Sequence, residues 1–305
     1  MLPSLNLVVY TSFVLEEEDS DHMTRLCWKT LRVSLLAAVC LAAVNVCWAG
    51  SIFLTGHDPD FHALLGGNAL GAQHINQDAI NFITDPAFNS FAAGGVHKFL
   101  FVESSIVPPA GHVDGINGLI ASGYVSGVNF DKVDATGLNT ALNHLGTTYD
   151  AIVVASDFGG ILTQAELNIL DARSMDIINF LNAGGGLYAM AESDSGAHLT
   201  PSGGQFGFLP FIVTSTQLDQ GESGFTVTPF GASLGLTVND INGNASHNIF
   251  TATGGMDVVD HDASGHILSL ATRSQVNPGG VTPEPGTMIL LASGLLGLGL
   301  MRRRR

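Results

Sequence analysis

The segment Gly56-His57-Asp58-Pro59-Asp60-Phe61-His62 concentrates two imidazoles and two carboxylates in one short stretch. Histidine and aspartate at such loop spacing suit zinc or manganese, several carboxylates suit calcium, and a divalent cation held there could activate water for hydrolysis. His57, Asp58, Asp60 and His62 are thus the candidate ligands, although their spacing matches no established metal signature and a solvated His-Asp-Pro-Asp turn accounts for the same residues. Four further carboxylates, Glu103, Asp157, Glu192 and Asp194, each follow an apolar run. Ser193 and Ser195 lie beside Asp194, and a distant His247 could complete a serine-hydrolase set. However, Gly-x-Ser-x-Gly is not present, because Ala191 and Ser195 flank Ser193. Asp157-Phe158-Gly159-Gly160 lacks the neighbouring cation that a phosphate cradle prefers. His261-Asp262 reads as a turn. Tyr149, Tyr188, Phe206, Phe208 and Phe211 could stack on sugars, but aromatics at such positions more often build a core.

Elements must bring these groups together. Continuous apolar runs predict strands buried on both faces at Ser51–Thr55, His97–Glu103, Ala151–Ser156, Gly186–Ala191 and, with weaker patterning, His266–Ala271. Helical periodicity appears at Ala69–Ile83, Asp134–His144 and Thr163–Asn182, the last opening on Thr163-Gln164-Ala165-Glu166, which has the form of a capping box. Alternation of this kind predicts an α/β fold: three layers, a mostly parallel sheet and helices on both faces. Ligands of open parallel sheets bind beyond the carboxyl ends of the strands. There His57, Asp58, Asp60, His62, Glu103, Asp157, Glu192 and Asp194 would share one rim, with the Gly-rich loop Pro201–Gln205 over it.

Composition narrows the function. The 305 residues carry 27 acidic against 11 basic side chains, a net charge of −16, and are 46% hydrophobic. Acidic disorder is excluded by that apolar content. The stretch 50–282 keeps only Lys98, Lys132, Arg173 and Arg273 as cations, so no nucleic-acid partner is expected. The other basic residues mark the two ends. Arg25, Lys29 and Arg32 precede an apolar run, Val33–Val46, and then Cys47-Trp48-Ala49, the order of a secretory signal peptide beginning at Met23 and cleaved after Ala49 by signal peptidase. Residues 1–22 are then expected to be a mis-assigned start. All three cysteines fall inside that signal, which leaves the body to be held by burial alone.

At the other end, Val281-Thr282-Pro283-Glu284-Pro285-Gly286 precedes an apolar run from Thr287 to Met301 and four arginines. This closely resembles the PEP-CTERM sorting signal, with Pro283, Glu284 and Pro285 as its motif. The resemblance implies recognition by an exosortase, an inner-membrane-anchored precursor with a short transmembrane helix, cleavage near the motif, and a mature form in the envelope or outside the cell, often in the company of exopolysaccharide and biofilm. The arginines would stay cytoplasmic.

Residues 149–196 resemble the centre of the class I glutamine amidotransferase-like fold, related in layout to flavodoxin-like proteins. The carriers are Tyr149–Ser156, then a helix ending Phe180-Leu181-Asn182-Ala183-Gly184-Gly185-Gly186, then a strand. That family delivers a nucleophilic cysteine on a sharp turn after this strand, and Ala191 stands there instead. Amidotransferase chemistry is therefore not expected. The resulting plan is a leader at 23–49, one α/β domain at 50–274, a linker at 275–282 and a sorting signal at 283–305. Its expected function is an exported binding module associated with extracellular polysaccharide. The alternatives are a metal-assisted hydrolase of carbohydrate and a structural matrix component.

Overall fold

The computed structural model describes residues 50–108, 111–157, 161–191, 206–209, 211–218, 223–244 and 248–274. The expected signal peptide, the linker and the sorting signal lie outside them, and among the described residues no helix is long and apolar enough to cross a membrane. The described residues belong to one compact unit.

The first half builds a parallel sheet. β1 (Ser51–Thr55), β2 (Phe99–Val102), β4 (Ala151–Val154) and β5 (Gly186–Met190) are wholly buried, as their uninterrupted apolar sequences require. β3 (Phe130–Val133) is a half-buried edge strand. Their spatial order is β3-β2-β4-β5-β1, all parallel. The chain turns to β3 on one side of β2 and to β4 on the other, so the carboxyl ends of β2 and β4 flank a topological switch point.

Two helices begin that half. α1 (Pro59–His62) is a single turn after β1, and α2 (Ala69–Thr84) runs back along the sheet, with the Asn68 side chain accepting from the Gly71 N–H. The α2 face carrying Ile75, Ala79, Phe82 and Ile83 is buried. Phe53 of β1 meets Phe82 and Tyr188 edge-on, and the Tyr188 hydroxyl donates to Asn76 at 3.0 Å. α3 (Ser90–Ala93), α4 (Gly115–Ala121) and α5 (Ala135–Ala141) follow, α5 continuing into a 3₁₀ turn at Leu142–His144.

The expected single helix over Thr163–Asn182 is two, α6 (Gln164–Ala172) and α7 (Ser174–Asn182). Arg173 leaves helical geometry at φ −103°, ψ 17°, and its guanidinium reaches Asn139 O at 2.9 Å and Asn143 Oδ1 at 2.8 Å. Each half then buries its own apolar side chains, Leu167 and Leu170 in one and Ile177, Ile178 and Leu181 in the other. The capping box forms as expected between Thr163 and Glu166. The glycine triplet that follows has a steric reason. Gly184 is left-handed at φ 94°, a Cβ on Gly185 would enter the Phe180 ring, and one on Gly186 would come within 2.3 Å of the Ile83 carbonyl.

The second half corrects the expected parallel sheet. β6 (Val213–Gln217), β7 (Thr226–Val227), β8 (Asn248–Thr253), β9 (Asp257–His261) and β10 (Ile267–Thr272) all pair antiparallel. β10 adds to the free side of β1, with Ile52 opposite Thr272. The short turn between β9 and β10 makes that pair antiparallel, because a parallel return needs a crossover of a dozen or more residues. Gly254 and Gly255, both at positive φ, turn β8 into β9, and Asp262 organises the turn into β10 by accepting from Ser264 and His266 N–H groups at 2.9 and 2.8 Å. α8 (Pro229–Ser233) and α9 (Val238–Ile241) lie between these strands in sequence. The result is a mixed α/β domain on a ten-stranded curled sheet.

Candidate functional site

β1 ends at Thr55, and the next turn carries the four predicted ligands into the protein. His57, Asp58 and Asp60 are completely buried and His62 nearly so. Asp58 takes up a left-handed φ of 40°, which allows Pro59 to open α1. Their partners diverge. His57 places Nε2 2.6 Å from Asp260 of β9 and Nδ1 3.0 Å from the Asn244 carbonyl. Both ring nitrogens lie within hydrogen-bonding distance of oxygens. Asp58 pairs with His62 at 3.2 Å, while the His62 Nδ1 lies 3.1 Å from the Leu65 carbonyl. Asp60 accepts the Ser156 backbone N–H and hydroxyl, each at 2.9 Å. Burial raises the Asp60 pKa against the opposing pull of those hydrogen bonds.

Glu103, at the end of β2, occupies the switch point. Its carboxylate receives the N–H groups of Gly115, without the benefit of a capping side chain on α4 itself, and of Ile116 at 3.2 Å, and it meets Lys132 Nζ at 3.1 Å. Burial nonetheless pushes its pKa up to about 8; Lys132 opposes the shift and the negative charge of Asp60 adds to it. Burial thus raises both Asp60 and Glu103, and the charge of Asp60 adds to the shift at Glu103. Asp157 is buried at the end of β4.

The sequence grouping of His57, Asp58, Asp60 and His62 therefore resolves into three separate attachments, to β9, within α1, and to β4. Among the described residues no group of three or more histidine, cysteine, aspartate or glutamate side chains could hold a metal ion. Ala191, where the amidotransferase-like resemblance would put a nucleophile, is buried and continues the strand ladder, its N–H donating to Thr55 O at 2.8 Å. Glu192, Asp194, Ser193, Ser195, His247, the glycines of the 157–160 segment and the 201–205 loop lie outside the described residues.

The aromatic candidates are structural. Tyr149 donates to Asp131 at 3.1 Å, Tyr188 to Asn76, Phe206 and Phe208 are buried, and Phe211 packs against the core. His261 and Asp262 belong to the end of β9 and its turn.

What sequence reasoning missed is at the opposite edge of the sheet. Two cavities, of about 770 and about 140 Å³, open beside the amino ends of the parallel strands, and Asn81 and Thr84 of α2 line both. Asp150, immediately before β4, borders the smaller one. A carboxylate directly preceding a wholly apolar strand was the available signal.

The class of the body is thus a mixed α/β domain with the buried carboxyl of Glu103 at its switch point. Residues 281–305 match the PEP-CTERM protein-sorting motif, a span that includes Pro283, Glu284 and Pro285 and lies outside the described residues. The motif marks the chain for export through a membrane-anchored precursor and for processing by an exosortase. A search of curated proteins returns no match.

Proposed function

We propose that the chain is an exported, exosortase-sorted envelope or extracellular protein whose α/β body is a binding module associated with extracellular polysaccharide. The sorting motif at 281–305 carries the exported part of this reading. A leader at 23–49 with signal-peptidase cleavage, and a short membrane-spanning run at 287–301, supply the route. Binding rather than amidotransfer is supported by the body itself. The strand order β3-β2-β4-β5 and the helix, triple glycine and strand at 174–190 fit an amidotransferase-like scaffold, while alanine replaces its nucleophile and is sealed into the strand.

The test is processing in a host with and without its exosortase. The chain already shortened by leader removal should lose further mass at its C-terminal end only when the exosortase is present, and Glu284→Ala or Pro285→Ala should leave that end uncut in the inner membrane. Identical masses in both hosts would overturn the reading.

A further inference from the structure

The sequence holds two aspartyl–prolyl bonds, Asp58-Pro59 and Asp85-Pro86, and their backbones differ. Asp85 is extended at φ −58°, ψ 114°, as a following proline favours, and its carboxylate is paired with Arg273 at 2.9 Å. Asp58 sits at φ 40°, ψ 55°. Aspartate enters this left-handed region more readily than most residues, but a following proline ring pushes its neighbour toward extended backbone. The 58–59 link is thus strained where 85–86 is relaxed.

The surroundings of the strained bond suit its breakage. An aspartyl–prolyl link can be broken by its own side chain, because the carboxyl closes onto the aspartate carbonyl carbon as a cyclic anhydride and the basic proline nitrogen leaves with a proton. The Asp58 carbonyl oxygen accepts the N–H groups of Phe61 at 3.1 Å and His62 at 3.2 Å, donors placed to stabilise the negative charge that develops on it. The Asp58 side chain is completely buried and lies 3.2 Å from the His62 Nε2, while the His62 Nδ1 is anchored 3.1 Å from the Leu65 carbonyl. An imidazole fixed against the attacking carboxyl, in the same turn as the leaving nitrogen, is placed to relay the proton.

We infer that the folded chain cuts itself between Asp58 and Pro59. A carboxyl oxygen of Asp58 bonds to the Asp58 carbonyl carbon, the carbon–nitrogen bond to Pro59 breaks, and the proton shared by Asp58 and His62 passes to the proline nitrogen. Water then opens the anhydride, which leaves Asp58 as one chain end and Pro59 as the other. The domain stays together after the cut, since β1 remains paired with β5 on one side and β10 on the other. Denaturation is therefore needed to reveal it.

The experiment incubates the purified full chain at neutral pH, denatures samples over time, and reads fragment masses and N-terminal sequences. The expected result is a fragment beginning Pro59-Asp60-Phe61-His62, formed about tenfold or more faster than any fragment beginning at Pro86. Asp58→Ala, which cannot close the ring, should abolish it, and His62→Gln should slow it by about tenfold or more. In urea the two bonds should become equally slow, which ties the reaction to the folded turn. Four results would each overturn the inference: the 58–59 bond stays intact, both bonds break at one rate in the folded protein, Asp58→Ala is cut like the wild type, or His62→Gln loses no rate. The first two are read on the wild-type chain alone, so they decide the matter even where a variant fails to fold.

Discussion

The Asp60 carboxylate, carried on the turn after β1, holds both the backbone N–H and the hydroxyl of Ser156 at the end of β4, with β5 lying between their two strands. The contact ties the helix α1 to the segment that follows β4. Removing one hydrogen bond to a buried carboxylate costs roughly 1.5–3 kcal/mol. Ser156→Ala, which keeps the backbone bond, is expected to fall at the lower end of that range in urea unfolding. Asp60→Ala, which strips both, is expected to exceed it.

Stability should depend on pH through carboxyls that burial raises. Glu103 moves from 4.5 to about 8 and Asp150 from 3.8 to about 7, with Asp60 raised in the same direction. Each folded group binds its proton more tightly than the unfolded chain does, so its stabilising effect is complete below the unfolded value and is lost as pH rises to the folded one. The Tm is therefore expected to fall between pH 5 and pH 8. Glu103→Gln, which cannot ionise, should flatten that slope; an unchanged slope would show that Glu103 is not its source. The general loss of negative charge on acidification acts equally in both proteins.

The His57–Asp260 pair is wholly buried, whereas the His74 side chain that meets Asp240 at 2.8 Å is 57% exposed. Breaking a buried pair from one side costs about 3–5 kcal/mol, and exposed pairs are worth about 0–1. Asp260→Ala should accordingly lower unfolding free energy by about 3 kcal/mol or more, and His74→Ala by less than about 1. Equal effects in chemical denaturation would refute the contrast.

Gly118 of α4 permits close contact with α1. A Cβ there would stand 1.8 Å from the Asp60 carbonyl oxygen, while Gly95 and Gly127, both left-handed, have open space around them. Gly118→Ala is expected to displace α4 and cost on the order of 3 kcal/mol, the upper end for overpacking. Gly127→Ala meets only the left-handed penalty of about 1–2 kcal/mol. Reversing that order in thermal melts would show that α4 yields without strain.

Arg273 stacks over Phe88 and Phe82 while pairing with Asp85. Planarity matters here, since a lysine ammonium cannot face two rings and a carboxylate with one flat group. Arg273→Lys should destabilise the body by about 1 kcal/mol despite conserving charge, read as a shift of urea midpoint at constant slope.

The four buried parallel strands were legible in sequence because burial on both faces leaves runs such as Ser51–Thr55, which agrees with β1 residue for residue, whereas the half-buried edge strand β3, Phe-Asp-Lys-Val, was not. Helix α2 and the Thr163–Glu166 box were legible for the same kind of reason, as patterns written locally. In the antiparallel half only β10 was legible, as the run His266–Ala271, and its antiparallel direction was not. β6 reads Val-Thr-Ser-Thr-Gln and β9 reads Asp-Val-Val-Asp-His, edge and half-buried strands whose pairing is decided by the opposing strand. At the site, the His57–His62 segment announced itself by residue type, but its partners Asp260, Asn244 and Ser156 come from remote positions that nothing local links to it. The two cavities were hidden in the same way, their lining gathered from α2, the starts of β2 and β4, and the end of β10.

The pairing of Ile52 with Thr272 has a mechanical consequence. β1 and β10 run antiparallel as neighbours, so the chain enters and leaves the domain at the same edge, side by side. A body tethered through residue 274 alone carries no load across its sheet, and drag on it is borne by the tether. If residue 50 were also held, tension would part the two strands one hydrogen-bonded pair at a time, as a zipper opens, from that edge inward. Freedom at the leader end therefore decides whether the domain hangs as a pendant or tears as a seam.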